Sequence, residues 1–222
     1  MYQLRVRQNK NLSNINELIF IHVAKAAGTS IWKNLGMTKD DRGIFTILQL
    51  KDMIDTDKFN SYKKFTVVRN PWDRIVSLYE YRKKEGHEKY IYGDNDYTFK
   101  EWLMNPNIKG LRDEQILFTP DFYKNHFETL GMDWYRIHKH WLPQLNMISS
   151  KEDEILVDMI LEFENLENDW VELSKFIGKE LKPLEKHNIT KKKNYRDYYD
   201  EETRDYISKL YVKDIEAFNY EY

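Results

Sequence analysis

The chain has 222 residues, of which 41% are hydrophobic, and this is enough for one compact domain with a substantial core. Its charged residues nearly cancel to a formal net charge of -2, so the basic excess typical of nucleic-acid-binding proteins is absent. The absence of cysteine excludes disulfides, zinc–thiolate sites and thiol nucleophiles. We therefore expect a single domain over residues 1–222 and no nucleic-acid partner.

The sequence also lacks signals for export or membrane insertion. Its N-terminal stretch MYQLRVRQNKNLSN has no apolar centre, and no segment approaches the ~20 apolar residues of a membrane helix. We expect a cytoplasmic protein without a membrane partner. The missing anchor favours a bacterial or viral host cell over a eukaryotic secretory pathway.

The first strong element is ELIFIHV (17–23), a short apolar run that predicts a buried parallel strand. It leads into AKAAGTS (24–30), whose small residues allow the main chain to curl around an anion with its N–H groups pointing inward. Gly28 permits conformations that are closed to other residues, and Thr29 or Ser30 can cap the following helix. The outline is that of a phosphate-binding loop, although no Walker A ending Gly-Lys-Ser/Thr is present.

Lys25 supplies a positive charge to this loop. The hydroxyls of Thr29 and Ser30 and the positive end of the next helix would add further donors for an anion. The alternative is a tight strand-to-helix turn with a surface lysine, and the loop alone leaves both interpretations open.

A second strand, KFTVV (64–68), ends at RNPWDR, where Pro71 predicts the first turn of a helix. Arg69 ends a buried strand, a position at which an unpaired guanidinium is unfavourable. An arginine fork with the hydroxyl of Ser77 two helical turns later suits a second phosphate. The alternative is a structural salt bridge from Arg69 or Arg74 to Asp73, which we expect for Arg74 rather than for Arg69.

The later elements complete an α/β pattern. The segment ILVDMILEFE (155–164) predicts a third strand, a helix follows it up to Gly178, and residues 201–218 predict a C-terminal helix. Strands alternating with helices indicate a central, mostly parallel sheet flanked by helices. Ligands of such sheets bind at the carboxyl ends of the strands, where both loops lie.

Together, HVAKAAGTS and VVRNPWDRIVSLY resemble the carbohydrate-type sulfotransferases in their order and separation. The first motif of that family usually reads His-x-Pro-Lys-Thr-Gly-Gly-Thr-Ser, and the second reads Arg-[Asn/Asp]-Pro-x-x-Arg with a serine following. The segments HWLPQ, FENL and FNYEY extend the resemblance over nearly the whole chain. It implies a P-loop-like fold and transfer of a sulfuryl group from 3′-phosphoadenosine 5′-phosphosulfate to a hydroxyl, here expected on a carbohydrate.

The resemblance also implies roles for individual residues. It places the 5′-phosphosulfate on Lys25, Ala26, Ala27, Gly28, Thr29 and Ser30, the 3′-phosphate on Arg69 and Ser77, and further nucleotide contacts on Lys192 and Lys193. Lys25 would stabilise the departing phosphate, which makes it a catalytic residue. Alanines replace the usual proline, threonine and glycine of the first motif, so one hydroxyl toward the anion is lost. The reaction requires no metal, and no metal-ligand cluster is evident.

The general base is the weaker assignment. Many relatives place a histidine between the two phosphate motifs, but no histidine lies between His22 and His87 in this chain. We expect His22 to be a core histidine. Of the remaining candidates we choose His140 as the second catalytic residue; the others are Asp40, Asp41 and His138. The alternative for His140 is a hydrogen-bonded histidine that braces the substrate loop.

The acceptor side is assigned by elimination to an insertion around residues 85–133. Tyr90, Tyr92, Tyr97 and Trp102 could stack on sugars, although Phe99, Trp102 and Leu103 are more simply explained as the core face of a short helix. Two alternative functions remain open. One is a P-loop nucleotide kinase or NTPase, which the position of the loop lysine before the glycine disfavours. The other is a non-catalytic module that binds a nucleotide or a glycan.

Overall fold

The computed structural model describes residues 12–13, 17–38, 43–83, 97–105, 139–185 and 193–222. Its contacts divide the chain into two compact units. The first, the sheet unit, comprises Met1–Arg69 and Gln144–Asn188; the second, the helical unit, comprises Asn70–Pro143 and Ile189–Tyr222. The predicted domain limits of 1–222 and the insertion at 85–133 stay predictions, since only 97–105 of that insertion is described.

The sheet unit contains four strands in the spatial order β1-β2-β3-β4. They are β1 (Leu12–Ser13), β2 (Leu18–Ile21), β3 (Lys63–Val68) and β4 (Met159–Glu162). Strand β1 pairs antiparallel with β2, whereas β2–β3 and β3–β4 are parallel, with Phe20 opposite Phe65 and Val68 opposite Glu162. The predicted α/β fold with a mostly parallel sheet is confirmed.

The helices bounded within the described residues are, in chain order, α1 (Gly28–Asn34), α2 (Ile47–Met53), α3 (Thr56–Ser61), α4 (Pro71–Arg82), α5 (Phe99–Met104), α6 (Gln144–Ile148), α7 (Leu166–Ile177), α8 (Glu201–Leu210) and α9 (Val212–Phe218). Two 3₁₀ turns, Phe163–Asn165 and Tyr195–Tyr198, lie between them. In this part of the chain, none of the helices has the length and apolar character required to cross a membrane.

Side-chain caps fix where several helices begin. The side chain of Asn70 accepts hydrogen bonds from the first-turn amides of α4, and Pro71 occupies the first turn as predicted. Thr46 forms a capping box at the start of α2. Gly178 ends α7 in the left-handed conformation (φ 67°), which confirms the predicted stop.

Two predicted elements differ from the structure. Strand β4 covers only Met159–Glu162, because Ile155 forms an isolated bridge with Ser149 and Phe163 begins a 3₁₀ turn. The predicted C-terminal helix is interrupted at Tyr211, which separates α8 from α9. The buried Tyr211 hydroxyl donates a hydrogen bond to the Trp141 carbonyl at 2.8 Å. An apolar spacing cannot reveal that tertiary contact.

Each unit has its own aromatic core. In the sheet unit the Phe20 and Phe65 rings stack with centroids 5.1 Å apart, and Trp170 of α7 packs edge-on against Phe65. In the helical unit, Phe99 and Trp102 of α5 belong to a cluster of buried rings and aliphatic side chains. Trp102 is only 1% exposed, so the core interpretation is confirmed and the prediction that it stacks on sugars is wrong.

Arg74 is a buried cation in the helical unit. Its guanidinium donates hydrogen bonds to the carbonyls of His140 (3.2 Å) and Leu142 (3.0 Å) and lies 4.9 Å from the Tyr211 ring centroid. The side chain thus supports main-chain carbonyls, where the sequence suggested a salt bridge to Asp73. A planar fork makes these contacts simultaneously, which an ammonium group does not.

We predict that Arg74→Lys lowers the free energy of unfolding by about 2 kcal/mol, since it leaves a buried carbonyl without a donor. Urea denaturation followed by circular dichroism measures this change. The control is Arg204→Lys, because the Arg204 side chain is 42% exposed and pairs with Asp205 at the surface. Equal stability of the two variants would contradict the role assigned to Arg74.

Candidate functional site

Both motifs singled out in the sequence begin at the same edge of the sheet. The loop of residues 22–27 follows β2, and Arg69 follows β3, its parallel neighbour. The carboxyl ends of parallel strands form the usual ligand-binding edge of an α/β sheet. The structure therefore brings the Lys25 loop and Arg69 together, as the sequence predicted.

The loop has an unusual main-chain conformation. Lys25 (φ 69°) and Ala27 (φ 59°) both lie in the left-handed region. The amides of Gly28 and Thr29 donate to no oxygen of the described residues. Adjacent amides presented by left-handed and right-handed turns form a concave nest that favours an anion. The loop is thus shaped for a phosphate-like group.

Helix α1 begins at Gly28, two residues earlier than an N-cap at Thr29 would allow and three earlier than one at Ser30. Ala27 is its N-cap and makes no side-chain cap, while Thr29 and Ser30 lie inside the first turn. The prediction that Thr29 or Ser30 caps the helix is therefore wrong. Because α1 has only seven residues, it would interact with an anion mainly through the N–H groups of its first turn.

Gly28 is required for a different reason from the one that the sequence suggested. It does not adopt a positive φ; that conformation is taken by the residues at 25 and 27. A Cβ atom at Gly28 would instead overlap the imidazole of His22. His22 is buried, as predicted, and its ring lies against Trp32 with centroids 4.2 Å apart. The histidine thus forms the floor of the loop.

The two alanines of the loop have different environments. Ala26 is 0% exposed, so its methyl group packs inside the protein. This residue could contact an anion only through its main chain. A hydroxyl at this position would face the interior. Ala27 holds a left-handed conformation that disfavours any side chain by roughly 1–2 kcal/mol.

Arg69 connects the two motifs. Its Nη1 donates a 2.8 Å hydrogen bond to the Lys25 carbonyl, and its guanidinium carbon lies 3.9 Å from the Phe163 ring centroid. Its main chain pairs with the buried side chain of Gln144. Sequence reasoning missed the roles of Phe163 and Gln144. Gln144 does fall within HWLPQ, but nothing in that segment indicates which group it contacts.

Ser77 and His140 belong to the helical unit. Ser77 is buried on α4, and its hydroxyl makes no hydrogen bond within the described residues. His140 is half-buried; its ring lies 6.5 Å from that of Tyr81, and its carbonyl accepts from Arg74. Their participation in a site with Lys25 stays a prediction. Asp40, Asp41, His138, Lys192, Tyr90 and Tyr92 lie outside the described residues.

Lys193 lines an open cleft of about 500 Å³ in the helical unit, together with residues of α4, α5 and the second 3₁₀ turn. Its main chain is hydrogen-bonded to the Tyr198 hydroxyl, which in turn donates to Glu80 at 3.1 Å. Burial, aided by Glu80, raises the pKa of Tyr198 to about 12, so this phenol stays protonated. On α4, Glu80 points about 60° away from Ser77 around the helix axis. A shared ligand of Lys193 and Ser77 stays a prediction.

The chain belongs to the sulfotransferase family, whose family model matches residues 11–221. The match covers both HVAKAAGTS and VVRNPWDRIVSLY and confirms the resemblance found in the sequence. Comparison with curated proteins and with solved structures gave no match. Among the described residues, no group of His, Asp and Glu side chains could hold a metal ion.

We predict that Gly28→Ala destabilises the protein by about 2 kcal/mol, because the added methyl group displaces the His22 ring from beneath the loop. Urea denaturation of four proteins tests the cause: wild type, Gly28→Ala, His22→Ala and the double variant. If the steric account holds, Gly28→Ala has little effect once His22 is alanine. An equal loss in both backgrounds would refute it.

Proposed function

We propose that the chain transfers the sulfuryl group of 3′-phosphoadenosine 5′-phosphosulfate to a hydroxyl group of a carbohydrate. The observation that carries the proposal is the hydrogen bond between Arg69 and the Lys25 carbonyl, which joins two cationic motifs at one sheet edge. A donor with separate 5′ and 3′ phosphate groups needs two such anion sites. Family membership supports sulfuryl transfer in general, and the motifs favour this donor.

The proposed chemistry is an in-line displacement at sulfur. The acceptor oxygen forms a bond to sulfur while the bond from sulfur to the 5′-phosphate oxygen breaks, and 3′-phosphoadenosine 5′-phosphate leaves. Negative charge then grows on the departing phosphate. Lys25 and the amides of Gly28 and Thr29 would stabilise that charge, since they are fixed in position before the reaction.

The acceptor hydroxyl also loses its proton during transfer. We assign the base to His140, whose half-buried imidazole could accept a proton from a bound hydroxyl. The competing role is structural, because its carbonyl supports Arg74 and its ring lies beside Tyr81. Loss of turnover in His140→Gln without loss of stability would favour the base.

A second candidate function is nucleotide binding without catalysis. It is favoured by the absence of a histidine between the two phosphate motifs, where Ile44 and Phe45 stand instead. Phe45 is buried and does not offer a proton acceptor. A P-loop kinase or NTPase is the third candidate, and binding of ATP with magnesium would support it.

We predict that 3′-phosphoadenosine 5′-phosphate binds the protein and that ATP with magnesium does not compete for the site. Arg69→Ala should weaken this binding about tenfold or more, because it removes a charged donor together with the hydrogen bond to the Lys25 carbonyl. Isothermal titration calorimetry measures both ligands. The control is Lys33→Ala, since Lys33 is an exposed cation on α1.

Tight binding of ATP with magnesium, or binding of the bisphosphate that is unaffected by Arg69→Ala, would contradict the proposed donor site.

We predict that Lys25→Ala reduces turnover by about 10²-fold or more while leaving affinity for the bisphosphate largely intact, because the lysine acts mainly on charge that develops during transfer. Transfer of a radiolabelled sulfuryl group from the donor to a panel of sugars measures turnover, and calorimetry measures binding. Equal losses of both quantities would make Lys25 a ground-state binding residue. Unchanged turnover would remove it from the catalytic machinery.

A further inference from the structure

Gln144 makes an unusual contact with the main chain of Arg69. It is the first residue of α6 and is 0% exposed. Its side-chain oxygen accepts a hydrogen bond from the Arg69 N–H at 2.8 Å, and its side-chain NH₂ donates to the Arg69 carbonyl, also at 2.8 Å. One amide side chain thus satisfies both main-chain groups of one residue.

This pairing continues the sheet where its strands stop. Strand β3 ends at Val68, whose partner on β4 is Glu162, so Arg69 is the first residue beyond the ladder. Buried main-chain N–H and C=O groups need partners, and Gln144 provides both in the way that a neighbouring strand would. Both main-chain polar groups of Arg69 are therefore hydrogen-bonded, as they would be in a strand.

Phe163 contacts the guanidinium at the end of the Arg69 side chain. It begins the 3₁₀ turn directly after β4, and the Arg69 guanidinium lies 3.9 Å from its ring centroid. The guanidinium lies over the face of the ring, and the 2.8 Å bond to the Lys25 carbonyl holds one of its nitrogens. Two contacts thus restrain the orientation of the guanidinium.

We infer that Gln144 and Phe163 are positioning residues that aim Arg69 and thereby set the selectivity for a nucleotide with a 3′-phosphate. This inference rests on the proposed function, in which Arg69 binds that phosphate. A bidentate contact requires a guanidinium in one fixed orientation, which a long side chain otherwise lacks. Neither residue needs to touch the nucleotide.

The test compares affinities for 3′-phosphoadenosine 5′-phosphate and for adenosine 5′-phosphate, which lacks the 3′-phosphate. The first variant, Gln144→Glu, keeps the acceptor for the Arg69 N–H but loses the donor to its carbonyl. The second, Phe163→Leu, removes the ring from a half-buried position and tests the same inference if Gln144→Glu does not fold. The matched control is Thr66→Val, which removes a buried 2.8 Å hydrogen bond to Ile21 from the same strand.

We expect Gln144→Glu to weaken binding of the bisphosphate about tenfold, with adenosine 5′-phosphate affected less than about twofold. Phe163→Leu should cause a smaller loss of the same kind, and Thr66→Val none. In an Arg69→Ala background the Gln144→Glu change should cause no further loss, because both act through one guanidinium.

Two results overturn the inference separately from the proposed function. If Arg69→Ala removes the preference for the 3′-phosphate but Gln144→Glu and Phe163→Leu do not, Arg69 needs no positioning residues and only the inference fails. Equal losses for both nucleotides would show that Gln144 is merely structural. If Arg69→Ala itself leaves the preference unchanged, the proposed donor site fails and the inference fails with it.

Discussion

The hydrogen bond from the Arg69 guanidinium to the Lys25 carbonyl is the contact on which the candidate site depends. It spans 44 positions in sequence and joins the loops that follow two neighbouring parallel strands. It also helps to hold Lys25 in a left-handed conformation that a side chain disfavours. The bond thus links the geometry of one motif to that of the other, and under the proposed function this link suits a donor that carries a phosphate at each end.

The shape of the loop of residues 22–27 depends on the His22 side chain that packs against Gly28. The His22 ring occupies the space that a side chain at position 28 would fill, so Gly28 allows the main chain to approach the histidine closely. The two left-handed residues, Lys25 and Ala27, give the main chain the alternating conformation that is typical of anion-binding nests. Under the proposed function this arrangement does not need a Walker A lysine, because Lys25 precedes the glycine and the main chain would contribute the remaining donors.

Much of this could be predicted from the sequence, because the signals are local. The apolar runs identified β2 and β3, Pro71 marked the start of α4, and Gly178 marked the end of α7. The contacts that could not be predicted join distant segments. Gln144 reaches Arg69 across 75 positions, and no periodicity distinguishes a glutamine that pairs with a main chain from one at a surface. The close packing of the His22 ring against Gly28 is a further example, because no local pattern shows that a side chain six positions earlier fills the space beside the glycine.

The most direct test of this account is a crystal structure with 3′-phosphoadenosine 5′-phosphate bound. The account predicts that the 5′-phosphate lies on the amides of Gly28 and Thr29 beside Lys25, and that the 3′-phosphate is held by the Arg69 guanidinium, still stacked on Phe163. A nucleotide bound elsewhere, or one whose 3′-phosphate points into solvent away from Arg69, would contradict it.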